Sequence, residues 1–228
     1  MTEKNRPMTT DHLIIRQSCW DDLEDFYRWE RMPEVTEFFS IRDGQTKEDV
    51  IRKYLADEDD PAARQFTIML KGEDDPAGDG GDAPQAGEPD GNAWQADGHG
   101  QTGETAPRNI GRIVLADIEP GWKAEIWRIY IGDTALRGKG YGKEAMLAMM
   151  EYCFGQLGLE RLYLDHYTGN PAAYLYLSLG FQYEGVLRKN CRKNGVLYDV
   201  HLMSMLRAEY EERYGKRNER SHHSFPRI

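Results

Sequence analysis

Cysteine is scarce in this chain: three in 228 residues, Cys19, Cys153 and Cys191, odd in number and far apart. That excludes a disulfide framework and a clustered metal site, and it fits a reducing, cytoplasmic setting in which thiols pack as small apolar groups. Long apolar runs are also missing. No stretch approaches the ~20 residues a membrane helix needs, so no membrane partner is expected. The opening MTEKNRPMTTDHLIIRQ lacks the apolar centre of a secretory signal. Basic residues vanish from 72 to 106, where nine Asp or Glu stand without one Lys or Arg. The net charge of −10 less those nine acids leaves −1 elsewhere, so no basic field draws nucleic acid. The same stretch holds nine glycines and only Trp94 as a large apolar residue. It cannot bury enough surface to offset its ordering entropy, and it reads as a disordered insertion joining two adjacent strands.

What is present alternates between strand and helix patterns. DHLIIRQ, from Asp11, predicts a first strand. Trp20 to Arg31 predicts a helix with Trp20, Leu23, Phe26 and Tyr27 on one side. A second helix starts at about Thr46, an N-cap with Asp49 at the third helical position. Strands follow at Gln65 to Lys71, Asn109 to Glu119 and Lys123 to Gly132. An amphipathic helix then carries Met146, Met149, Met150, Cys153 and Leu157, and Gly158 stops it. RLYLDHY is a strand and NPAAYLYLSLG a short helix capped by Asn170. FQYEGVLRKN and VLYDVHLMSML are two strands joined around Lys193-Asn194-Gly195.

Between a strand and the amphipathic helix stand Arg137-Gly138-Lys139-Gly140-Tyr141-Gly142-Lys143. Glycines there open the first backbone N–H groups of the helix to an anion, above all a phosphate, and the helix dipole favours it. Arg137, Lys139 and Lys143 add positive charge. A glycine-capped turn without a ligand would look the same at this level. A P-loop needs GxxxxGK[ST], which is absent. The looser dinucleotide form GxGxxA fits Gly140, Gly142 and Ala145, with Asp165 20 residues on, so a nicotinamide cofactor competes for the loop.

ALRGKGYGKEAM resembles the acyl-CoA pyrophosphate loop of the GNAT superfamily of N-acetyltransferases. AEIWRIYIG is similar to that family's fourth strand, and GNPAAYLYLSLGF to its fourth helix and the turn after it. FQYEGVLRKNCRKNGVLYDVHLMSML resembles the last two strands of the branch acting on ribosomal-protein N-termini and spermidine. The likeness is strong from about Asn109 to Leu206 and weaker over the first 71 residues. It implies an α/β (α+β) fold with a mixed, mostly antiparallel central sheet of about seven strands flanked by about four helices. Residues 1–71 would be the N-terminal part of one acetyltransferase domain, 72–107 the insertion, 108–214 the acetyl-CoA-binding part and 215–228 a polar tail.

The resemblance implies direct transfer of acetyl from acetyl-CoA, with no metal, to a primary amine on a small molecule or a peptide N-terminus. The amides of Gly138 to Lys143 would hold the pyrophosphate. Backbone at a bulge near Ile129, Tyr130 and Ile131 would orient the thioester. Asn170 resembles the family's cofactor-contacting Asn. The family's acid falls on Tyr176, whose phenol has an ordinary pKa near ~10. Glu125 stands where relatives carry a Glu that contacts the amine, and alternation puts it on the face of Trp127 and Ile129. Asp165 is the other candidate base. A non-catalytic acyl-CoA-binding or regulatory module would carry the same loop. Nothing in the sequence fixes the amine or the oligomeric state, a homodimer included.

Overall fold

Apolar residues repeating every second position build one sheet, and those repeating at three and four build the helices that cover it. The structure, a computed structural model, describes residues 6–72 and 106–215. In chain order β1 is Met8–Thr9, β2 Leu13–Gln17, α1 Leu23–Trp29, α2 Pro33–Thr36, α3 Lys47–Asp59 and β3 Arg64–Leu70. Then come β4 Arg108–Glu119, β5 Lys123–Ile131, α4 Tyr141–Glu151, β6 Arg161–Tyr167, α5 Ala172–Leu179, β7 Gln182–Lys193, β8 Val196–Leu206 and α6 Arg207–Tyr210. The sheet order is β1-β2-β3-β4-β5-β6-β8-β7. Every pairing is antiparallel except β5 with β6, which α4 connects.

The expected mixed, mostly antiparallel sheet is present, with eight strands among the described residues. The eighth is the two-residue β1, which pairs Met8 with Ile15. The extra helices, α2 and α6, are single turns of four residues too short to show a period. The first helix is shorter than expected, because Trp20–Asp22 forms a tighter 3₁₀ turn. There the Asp22 carboxylate accepts from Cys19 N at 2.9 Å and from Arg16 at 2.6 and 2.7 Å. Trp20 is left 58% exposed, outside the predicted apolar stripe. The expected disordered insertion at 72–107 falls almost wholly outside the described residues. Its two ends do flank adjacent strands, since Leu70 pairs with Arg108.

Two apolar layers cover the two faces of the sheet. On one, Met146, Met149 and Cys153 of the α4 segment pack with Ile113, Leu115, Ile126 and Leu164. On the other, Phe26 and Trp29 of α1 and Val50 and Tyr54 of α3 pack with Tyr130. Trp29 also sets the shape of the chain leaving β5. A Cβ at Gly132 would stand 2.2 Å from the Trp29 indole, so only glycine fits. A Gly132→Ala variant is expected to lose about 1–3 kcal/mol through overpacking. Its melting temperature should fall by roughly 2–12 °C. An unchanged melting temperature would show that the indole gives way freely.

Candidate active site

Strand β5 loses its neighbour part-way along. The parallel ladder with β6 runs from Lys123↔Arg161 to Ile126↔Leu164 and ends there. On the other side β4 stays paired, but Val114 faces Arg128 while Leu115 faces Ile126, so Trp127 is an extra, bulged residue. The bulge therefore lies at Trp127, two residues before the expected Ile129 to Ile131. A bulge also resets alternation. Ile126 lies with Leu115 in the α4 layer, and so does Ile129, whereas Tyr130 lies in the α1–α3 layer. Glu125, next to Ile126 and opposite Ala116, thus faces the α1–α3 side and not the face of Ile129, which corrects the expectation from simple alternation.

Beyond the bulge, the free edge of β5, the glycine turn and α5 enclose a cleft of about 460 Å³. Ile129, Tyr130 and Ile131 form one wall, and Arg137, Gly138, Tyr141 and Gly142 another. Asn170 and Tyr176 close the third side. Lys139, Gly140 and Lys143 belong to the same turn but do not line this volume. The turn is built by left-handed glycines, Gly138 at φ 76° and Gly140 at φ 95°, the latter immediately before the 11-residue α4. Exposed Lys139 and Lys143 flank the start of α4.

Arg137 does something different from the expected charge contribution. Its Nε and one terminal nitrogen donate to the Ile131 carbonyl at 3.1 Å each, and the other donates to the Glu34 carbonyl at 2.9 Å. It ties the turn to the end of β5 and to α2. Asn170 caps α5, its Oδ1 accepting from Ala172 N at 2.9 Å.

The titratable groups divide into two environments. Tyr176 is 6% exposed, its ring 6.2 Å from that of His166. Burial, then the charge of Asp165, pushes its phenol up to about 12. Glu125 is half-buried. Burial, then the like charges of Asp165 and Asp117, pushes its carboxyl up to about 7, against a smaller opposite pull from Lys123. Desolvation also raises the Asp165 carboxyl, although its side chain keeps solvent contact at the start of the gap between β5 and β6. Asp117 is engaged elsewhere, accepting from the Tyr163 hydroxyl at 2.5 Å and pairing with Lys123.

Sequence reasoning missed the wall supplied by the α2 segment, where Glu34, Glu37, Phe38 and Phe39 border the cleft. The signal was the Glu37-Phe38-Phe39 run between two helices, which has no regular period. Polar contacts hold the last hairpin, β7 with β8. Glu184 accepts from both Arg161 terminal nitrogens at 2.6 Å, Gly185 sits at a register shift, and Asp199 accepts from Lys189 N at 2.7 Å. Among the described residues no group of three or more His, Cys, Asp or Glu could hold a metal ion, and no helix is long and apolar enough to cross a membrane.

A mostly antiparallel sheet with one parallel pair opening beside a glycine-started helix is unlike the parallel sheet of dinucleotide-binding folds. The acetyltransferase (GNAT) domain family matches residues 12–182. The chain belongs to the GNAT family. This GNAT chain is similar to the SPbeta prophage-derived uncharacterized N-acetyltransferase YokL of Bacillus subtilis, with 36% identity over 80 residues, 35% of this chain and 45% of that protein. It is 32% identical over 112 residues to the spermidine N(1)-acetyltransferase of Vibrio cholerae, 48% of this chain and 64% of that one. Each match spans less than two thirds of the relative's length. A crystal structure of V. cholerae spermidine N-acetyltransferase with CoA and spermine shares the GNAT fold at a TM-score of 0.66 and 21% identity, covering 88% of this chain and 99% of that one.

Proposed function

We propose that this GNAT chain is an acetyl-CoA-dependent N-acetyltransferase moving an acetyl group directly to a primary amine. The observation that carries the reading is the single cleft bounded by the glycine turn, the unpaired edge of β5 and Tyr176. The residues present fit the donor: α4 starts on left-handed Gly140 between exposed Lys139 and Lys143, and beside it β5 runs on past the end of its ladder with β6. Acetyl-CoA would supply an acyl group already activated as a thioester. The amides from Gly138 to Lys143 bind its pyrophosphate, and the backbone of Ile129 to Ile131 orients the carbonyl.

Two protons then need places. Glu125, half ionised near pH 7, takes one from the incoming ammonium, with Asp165 beside the same gap as the competing base. Tyr176, still protonated at that pH, holds at its hydroxyl the proton that the departing sulfur takes up. Because Glu125 faces the α1–α3 side and the glycine turn adjoins the other layer, amine and donor meet through the opening between β5 and β6. Spermidine and spermine are the first amines to try, as they appear in the names of a relative and a neighbour. A protein or peptide N-terminus is the other acceptor class.

Saturating coenzyme A at about 100 times its dissociation constant should add ~2.7 kcal/mol, or roughly 5–10 °C in melting temperature, and NAD should add nothing. Amine-dependent thiol release should follow with acetyl-CoA. A shift without thiol release from any amine would leave a binding module, and no shift would remove the donor.

A further inference from the structure

Past its bulge β5 has a strand partner on the β4 side alone, so β6 does nothing to keep that half in register. A slip of one residue would turn Ile129 and Ile131 away from the cleft and flip every neighbouring side chain. Four buried groups on the opposite face oppose such a slip. Glu30 ends α1, and its Oε1 alone accepts from Arg112 of β4 at 2.7 Å, from Arg128 of β5 at 2.6 Å and from the Tyr130 hydroxyl at 3.1 Å. Arg112 and Tyr130 are direct cross-strand partners. Arg128 precedes Tyr130 by two residues and so shares its face. The side chains of Glu30, Arg112 and Arg128 are 2%, 1% and 6% exposed. Burial alone would raise the Glu30 carboxyl, but Arg128 and Arg112 hold it below its ordinary range, so it is charged. Arg112 also bonds Gln65 of β3, which in turn donates to the Tyr54 carbonyl of α3 at 3.0 Å.

We infer that Glu30 is a positioning residue: one buried carboxylate oxygen locks the register of β5 past its bulge and so sets the backbone of Ile129 to Ile131 for the donor. Both strands reach that oxygen only in the observed register, since a one-residue slip carries Arg128 and Tyr130 to the other face. The same carboxylate fixes the end of α1, from which the chain passes directly into the Glu34 to Phe39 wall. Its link to the donor rests on the function proposed above; the register lock itself does not.

Two readouts on the full chain separate the two. Hydrogen exchange should show protection lost in β5 from Arg128 to Ile131 for Glu30→Gln and Arg128→Met, with β2 and β3 unchanged. A merely stabilising role would lower protection across all strands alike. Coenzyme A affinity should weaken about tenfold to a hundredfold, the scale of a small misplacement acting at a distance. Glu30→Gln, which keeps an oxygen acceptor, should lose less than Glu30→Ala. If Glu30→Ala does not fold, as two uncompensated buried guanidiniums could cause, the other two variants decide. Wild-type-like protection in β5 with coenzyme A affinity within about twofold of wild type would overturn the lock. A wild-type protein that binds no coenzyme A would remove the proposed function while the exchange measurement still judged the register.

Discussion

Replacing Tyr176 by phenylalanine is expected to lower kcat by about 10²–10³-fold while leaving coenzyme A affinity within about twofold. The phenol is the one acidic hydroxyl bordering the cleft from α5, and burial with Asp165 nearby keeps it protonated throughout the working pH range. Phenylalanine keeps the ring against Phe181, 6.3 Å away, so folding should be unchanged. Steady-state kinetics with acetyl-CoA and the best amine, beside calorimetric titration of coenzyme A, gives both numbers. Turnover equal to wild type would make Tyr176 a packing residue and return the acid role to solvent.

Glu125→Gln should cost about 10²-fold in kcat/KM at pH 8 and remove a limb from the pH profile. With its carboxyl near 7, the wild-type rate should rise through that pH and level off above it. Stability should run the other way. The folded-state value lies above the ordinary 4.5, so the folded protein holds the proton more tightly than the unfolded chain. Stability from this group is full below about 4.5 and is lost as pH rises towards 7. Glutamine never ionises, so the variant should melt higher than wild type at pH 8 and level with it near pH 4.5. A melting difference independent of pH, or an unchanged activity profile, would move the base role to Asp165.

Local chemistry was the most legible part of the sequence. The Thr46 cap is one example: its hydroxyl accepts from Asp49 N at 3.2 Å, and Asp49 accepts from Thr46 N at 3.1 Å. The glycine turn was legible for the same reason, since positive φ before a helix is written in single residues. The bulge at Trp127 was not. KAEIWRIYI alternates apolar and polar up to the bulge and stays largely apolar after it, so a phase change leaves no mark in composition. Glu30 was invisible because its partners lie 82, 98 and 100 residues further along the chain. Glu34 to Phe39 left only the aperiodic Glu37-Phe38-Phe39 run, which does not say what surface it borders.

The pairing of Leu70 with Arg108 carries a consequence for the order in which the sheet assembles. Strands β3 and β4 meet only after a 37-residue connection, 71–107, has closed, whereas β4 and β5 are joined by the three residues 120–122. Closing the longer connection costs about 2 kcal/mol more in chain entropy. The β4–β5 hairpin, which carries the bulge, is thereby the local unit, and β3 with Gln65 is the late arrival. Gln65 reaches Arg112 only at that point, so the polar cluster behind β5 closes together with the long-range half of the sheet.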